Sequence, residues 1–181
     1  WTLDLLGEGY DWIETDILKG ETRSAGFLAL NPAGQVPLLV TPEGRALAQS
    51  NAIILHLAET HGGGLLPEKS IDRAKVYEWL FWEQYSHEPY IAVRRFQMAY
   101  LKKPESEPDS KLLQRGLAAL TRMERQLDDV KWIAGDDFTL ADISLVAYTR
   151  VAHEGGFDLN AFPAVKAWVE RVENRLGIGT L

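Results

Sequence analysis

Asn31-Pro32-Ala33-Gly34-Gln35-Val36-Pro37-Leu38-Leu39, followed after a short interval by Gln49-Ser50-Asn51-Ala52-Ile53, decides how this chain is read. The first stretch is a turn entering an apolar strand that contains a proline. Proline has no N–H for a sheet ladder, so Pro37 belongs at an edge, a strand start or a bulge. A cis Val36–Pro37 bond is expected there, as a specific structural device. Such a bend would leave the Val36 N–H and C=O facing outward, free to pair with an extended peptide as an added strand would. The second stretch places Ser50 at the start of an amphipathic helix, where a hydroxyl and free N–H groups favour a carboxylate. A backbone clip beside an anion cradle suits a small peptide that carries carboxylates.

Composition narrows the rest. The chain has 181 residues, 46% hydrophobic and 25% charged, ordinary values for one large or two small globular domains. A net charge of −7 argues against nucleic acid, which is bound through clustered Lys and Arg. No apolar run approaches bilayer-spanning length, so no membrane role is expected. The absence of cysteine excludes a disulfide framework and Cys-based metal sites from this stretch. His56, His61, His87 and His153 share no ligand spacing with carboxylates, and no metal is expected. Gly62-Gly63-Gly64 lacks the preceding strand and following Lys-Ser/Thr of a phosphate loop and reads as a linker.

Outward from the opening stretch, Tyr10–Ile17 alternates like a strand, and Ser24–Leu30 suggests a short helix. Val36–Thr41 and Arg45–Ala48 are short strands joined by the Pro42-Glu43-Gly44 turn. Ser50–Thr60 then reads as a helix, with Ile53/Leu57 and Ile54/Ala58 each spaced for one face. Any small α/β domain could share this order. Everything after the glycines reads as helical: Ile71–Leu101 with a kink at Pro89, Ser110–Val130 with Leu113, Leu117, Leu120 and Leu127 on one face, Thr139–Glu154, and Phe162–Leu176. Phe138-Thr139-Leu140-Ala141-Asp142 carries a variant capping box, in which Asp142 reaches back to the Thr139 N–H, and Phe138 with Ile143 can form a hydrophobic staple.

Asn-Pro-x-Gly-Gln-Val-Pro-x-Leu followed by Gln-Ser-x-Ala-Ile resembles the glutathione site of the cytosolic glutathione S-transferases. Phe-Thr-Leu-Ala-Asp-Ile-Ser resembles the folding motif of their C-terminal domain, so the resemblance covers nearly the whole chain. It implies a thioredoxin-like α/β domain over 1–62, a linker over 63–71 and an all-helical domain over 72–181. The family begins with a strand and a helix whose junction holds a catalytic Ser, Tyr or Cys. Trp1-Thr2-Leu3-Asp4-Leu5-Leu6 looks like the tail of that helix, so the domain is expected to be truncated at its start, with the catalytic residue upstream.

The resemblance further implies that Gln49 and Ser50 hold the γ-glutamyl end of glutathione and that Gln35 and Val36 contact it. For Ser50 a plain helix cap is the competing reading. Arg23 lies where some classes place a cation near the glycyl carboxylate, with a solvated surface arginine as its alternative. The second-substrate pocket is lined by the first long helix, where Tyr90, Arg94 and Phe96 are candidates and core packing is the alternative. Pro37, Thr139 and Asp142 are structural. The implied function is a cytoplasmic, homodimeric transferase that activates glutathione as a thiolate for attack on an electrophilic small molecule, in detoxification. The alternatives are a glutathione-dependent isomerase, dehalogenase or disulfide reductase, or a non-enzymatic interaction protein on the same fold.

Overall fold

A proline-and-glycine turn folds the chain back on itself in the first half, as the sequence predicts. In the computed structural model, which describes residues 1–179, strands β1 (Leu38–Val40) and β2 (Ala46–Ala48) form an antiparallel pair. Leu38 faces Ala48, Leu39 faces Leu47 and Val40 faces Ala46. The turn closes with the Gly44 N–H on the Thr41 carbonyl (2.8 Å) and Gly44 at φ 78°, a left-handed backbone that glycine adopts without a Cβ penalty.

Three α-helices and a 3-10 turn (Glu21–Arg23) complete this first unit, Trp1–Gly63. Helix α1 (Thr2–Leu6) stops at Gly7, and α2 (Ala25–Leu30) is capped by the Ser24 hydroxyl, which accepts from the Phe27 N–H at 3.3 Å. Helix α3 (Ser50–His61) buries Ile53, Leu57 and Ala58, which recur at helical spacing, and packs on α1 and the hairpin. The expected strand over Tyr10–Ile17 does not form: residues 8–16 are irregular, and Trp12 and Ile13 are each 82% exposed. Alternating side chains alone do not make a strand. The backbone must pair, and no described strand lies beside it.

From Gly64 onward the described residues are helical, apart from connecting loops and one isolated bridge between Trp132 and Gly135. The elements are α4 (Ser70–Trp82), α5 (Glu88–Arg95), α6 (Ser110–Asp129), α7 (Leu140–Thr149) and α8 (Pro163–Leu176). Helix α7 lies at the centre, with Leu140, Ala141, Leu145 and Val146 inaccessible, so it is apolar on nearly every side. Val76, Ile91, Leu120, Met123, Val165, Trp168 and Val172, on α4, α5, α6 and α8, are inaccessible as well.

Helical backbone runs without a gap over residues 70–100, as expected for Ile71–Leu101, but widens twice. The turn before α5 (Glu83–His87) widens to π-helical geometry, and Pro89 sits in the first turn of α5. Proline lacks the N–H for an α-helical ladder and its ring would press on the carbonyl four residues back; a wider turn before it relieves both. A second π-helical turn runs Phe96–Tyr100. The buried stripe of α6 is Gly116, Ala119, Leu120, Met123 and Leu127, with the Phe157 ring packed so close to Gly116 that a Cβ there would collide with it; Leu117 lies off this stripe and is exposed. The helix expected over Thr139–Glu154 ends at Thr149 and passes into a 3-10 turn, Ala152–Gly155.

Asp142 ties this unit together. Its inaccessible carboxylate accepts from the Thr139 N–H (2.9 Å), the Ile133 N–H (2.9 Å) and the Trp168 indole N–H (2.8 Å). Burial pushes its pKa up, and these donors pull it back. Both halves of the capping box are present.

Candidate functional site

The hairpin register positions the site. The ladder ends at the Leu38–Ala48 pair, so Val36–Pro37, which precede β1, and Gln49–Ser50, which follow β2, leave the hairpin at the same end. The two motifs, separated in sequence, therefore converge at the open end of the sheet. The Val36–Pro37 bond is cis. Val36 is exposed, precedes β1, and forms no backbone hydrogen bond among the described residues.

Asn31 builds the turn that delivers Val36. Buried at the end of α2, it donates from Nδ2 to the Gln35 carbonyl (2.7 Å) and accepts at Oδ1 from the Ala33 N–H (3.2 Å). The Gly34 N–H closes on the Asn31 carbonyl at 2.9 Å, with Gly34 at φ 61°. Arg23 lies across this turn: its Nη1 donates to the Ala33 carbonyl at 3.3 Å, and a Cβ on Gly34 would strike its guanidinium. Asn31 was not singled out by the sequence reading. The signal was there, since an Asn before Pro commonly bonds its own backbone two residues on.

Gln49 holds a left-handed backbone (φ 71°, ψ 113°) and occupies the N-cap position of α3 without a side-chain cap bond. Ser50 is the first helical residue, so the reading of Ser50 as the cap itself shifts by one position. The first bond of the helix runs from the Ile53 N–H to the Gln49 carbonyl (2.9 Å), which leaves the Ser50 N–H ahead of the ladder at the positive end of the helix dipole. Gln49, Ser50, Gln35 and Arg23 are all exposed, and none carries a negative charge. Chemically, this end of the unit offers a backbone edge, a hydroxyl and helix-end donors, with a cation on the adjoining turn.

The three residues expected at a second-substrate pocket belong to the other unit and have different surroundings. Tyr90 is half-buried under the Arg115 guanidinium, 5.6 Å from its ring centroid. Phe96 is half-buried and stacks on Tyr100 with centroids 5.6 Å apart. Arg94 is 2% exposed; its Nε donates to the Gly155 carbonyl at 2.7 Å and its Nη2 to the Glu105 carbonyl at 3.3 Å. That geometry suits a scaffold role better than a pocket one.

Comparison with known proteins bears on this geometry. The N-terminal domain model of glutathione S-transferase matches residues 1–60, and the C-terminal domain model matches residues 78–175. A crystal structure of a glutathione S-transferase from Pseudomonas fluorescens is 46% identical, covers 95% of this chain and 86% of its own, and superposes with a TM-score of 0.90. The disulfide-bond oxidoreductase YfcG of Escherichia coli is 29% identical over 94% of this chain and 81% of its own length. Protein URE2 of Eremothecium gossypii is 28% identical over 96% of this chain, which spans 60% of the length of that relative. Both halves, the hairpin motif and the capping box thus fall within one pattern, and the chain belongs to the glutathione S-transferase family.

Proposed function

We propose that this protein is a glutathione transferase whose first unit binds the tripeptide. The observation that carries this reading is the hairpin pairing, which brings the unpaired backbone of Val36 and the start of α3 at Ser50 to the same end of the sheet. In this reading Val36 pairs with the cysteinyl backbone of glutathione as an added strand. Ser50 and Gln49 receive the γ-glutamyl end, Gln35 contacts the same ligand, and Arg23 takes the glycyl carboxylate. The thiol gives up its proton to solvent, hydrogen bonding to the sulfur anion favours the thiolate, and the sulfur attacks an electrophilic carbon of a small molecule, displacing a leaving group such as halide. Tyr90 and Phe96 contribute aromatic surface for that second substrate.

The reading extends to a cytoplasmic homodimer acting in detoxification. Support for association comes from Phe81 and Tyr85, which are 75% and 81% exposed on the second unit. No helix among the described residues is long and apolar enough to cross a membrane.

A disulfide reductase is the second reading, favoured by the Escherichia coli relative. It shares the glutathione site and differs in the activating residue, a thiol in place of a hydroxyl. Titration calorimetry with glutathione tests binding, and turnover of an aryl halide against a mixed glutathione disulfide separates the two activities. No heat of binding at millimolar glutathione would replace both readings with a non-enzymatic interaction protein.

A further inference from the structure

A second cleft, of about 460 Å³, lies within the helical unit between the Ala152–Asn160 corner and α8. Phe157, Leu159 and Val169 give it apolar surface, and Glu173 lines it. Glu173 is 2% exposed; its Oε1 accepts from Arg150 Nε at 2.8 Å, while its Oε2 is buried without a hydrogen-bond partner. A buried carboxylate oxygen that accepts nothing is unfavourable, and native interiors rarely keep one.

The neighbouring cations are already engaged. Arg150 Nη2 donates to the Gly179 carbonyl at 2.7 Å, and Lys166 Nζ donates to Asn160 Oδ1 at 2.9 Å. Asp158, whose Oδ1 accepts from the Asn160 N–H at 2.9 Å, and Glu170 add negative charge to the lining, which carries three carboxylates against the cations of Arg150 and Lys166. What the cleft lacks is a hydrogen-bond donor bearing positive charge and attached to an apolar body.

We propose that this cleft binds a small protonated amine with an apolar tail, whose ammonium donates to Glu173 Oε2 while the tail lies along Phe157, Leu159 and Val169. A cleft with apolar walls and a few placed polar groups is the usual form of a small-ligand site. The ammonium satisfies the orphaned acceptor and balances the surplus negative charge. This inference uses none of the residues assigned to glutathione and stands apart from that reading.

The test is a titration of the full chain, followed by backbone amide NMR, with n-butylammonium and with butan-1-ol as its uncharged counterpart. The amine is expected to give saturable shifts at Asn160, Lys166 and Val169, and the alcohol to bind about tenfold or more weakly, since a charge-assisted hydrogen bond is lost. Glu173→Gln places an amide donor where the free acceptor was, and is expected to abolish saturable amine shifts. Glu170→Gln, at an exposed position, is expected to weaken the amine by about two- to threefold and leave the alcohol unchanged. Equal binding of amine and alcohol, an absence of saturable shifts, or a folded Glu173→Gln variant that binds the amine like wild type would overturn the proposal. Should Glu173→Gln fail to fold through its Arg150 pairing, the amine–alcohol comparison and Glu170→Gln decide it alone.

Discussion

Leu38 and Ala48 face each other across the hairpin, and this last pair brings the Val36–Pro37 edge and Gln49–Ser50 at the start of α3 to the same end of the sheet. A shift of one residue in that register would reverse which side chains of β1 meet the rest of the unit. It would also shift the backbone edge along the hairpin relative to the helix N-terminus. The glutathione reading therefore depends on strand pairing as much as on the residues themselves.

Ser50→Ala is expected to weaken glutathione binding with little change in stability. Ser50 is exposed and is the first helical residue of α3, whose N-cap is Gln49. Loss of a hydrogen bond to a charged group costs about 1.5–3 kcal/mol, roughly ten- to over a hundredfold in affinity. Calorimetry and a denaturant melt on the same protein check this. An affinity within about twofold of wild type, with folding intact, would remove Ser50 from the site.

Thr139→Ala should destabilise the helical unit by about 1 kcal/mol, because the reciprocal cap at the start of α7 is lost. A shifted denaturation midpoint at unchanged slope is the expected signature. An unchanged midpoint would show the cap to be redundant with the Asp142 bonds to Thr139, Ile133 and Trp168.

Stability should fall in acid through His87. Thr149 donates its hydroxyl proton to the Leu145 carbonyl at 2.7 Å, so its oxygen accepts from His87 Nε2 at 2.9 Å, which assigns the neutral Nε2–H tautomer. Nδ1 is buried without a partner, and burial lowers the imidazole pKa from 6.5 to about 3. Because the folded-state value is depressed, this contribution is complete above about pH 6.5 and is lost as pH falls toward about 3. It amounts to up to ~5 kcal/mol. Denaturant melts from about pH 7 to about pH 4 should show a steeper loss for wild type than for His87→Gln; parallel curves would contradict the buried neutral state.

If the protein is a homodimer that uses the exposed aromatics of the helical unit, Phe81→Ser with Tyr85→Ser should favour the monomer. Removing two such anchors from an interface centre typically costs a few kcal/mol, enough to see by sedimentation velocity at micromolar protein. A wild-type monomer at that concentration would refute the association, and a double variant that sediments as wild type would place the interface elsewhere.

The sequence by itself determined those features whose causes are local. Pro42-Glu43-Gly44 specified the hairpin turn, Ser24 the start of α2, and Thr139 with Asp142 the start of α7, since each acts through backbone within a few residues. The family was legible for the same reason: its motifs are contiguous. Tertiary structure decided the rest. Tyr10–Ile17 alternates like a strand, yet it has no neighbouring strand to pair with among the described residues. Leu117 fits an apolar face of α6, yet it lies off the buried stripe, where Phe157, distant in sequence, packs against Gly116. Arg94 looks like a pocket residue until the Gly155 carbonyl, brought close only by the helical packing, holds its guanidinium in the interior. Periodicity reports which side chains can share a face; only the packed chain decides what stands opposite them, because burial and pairing are set by residues far away in sequence.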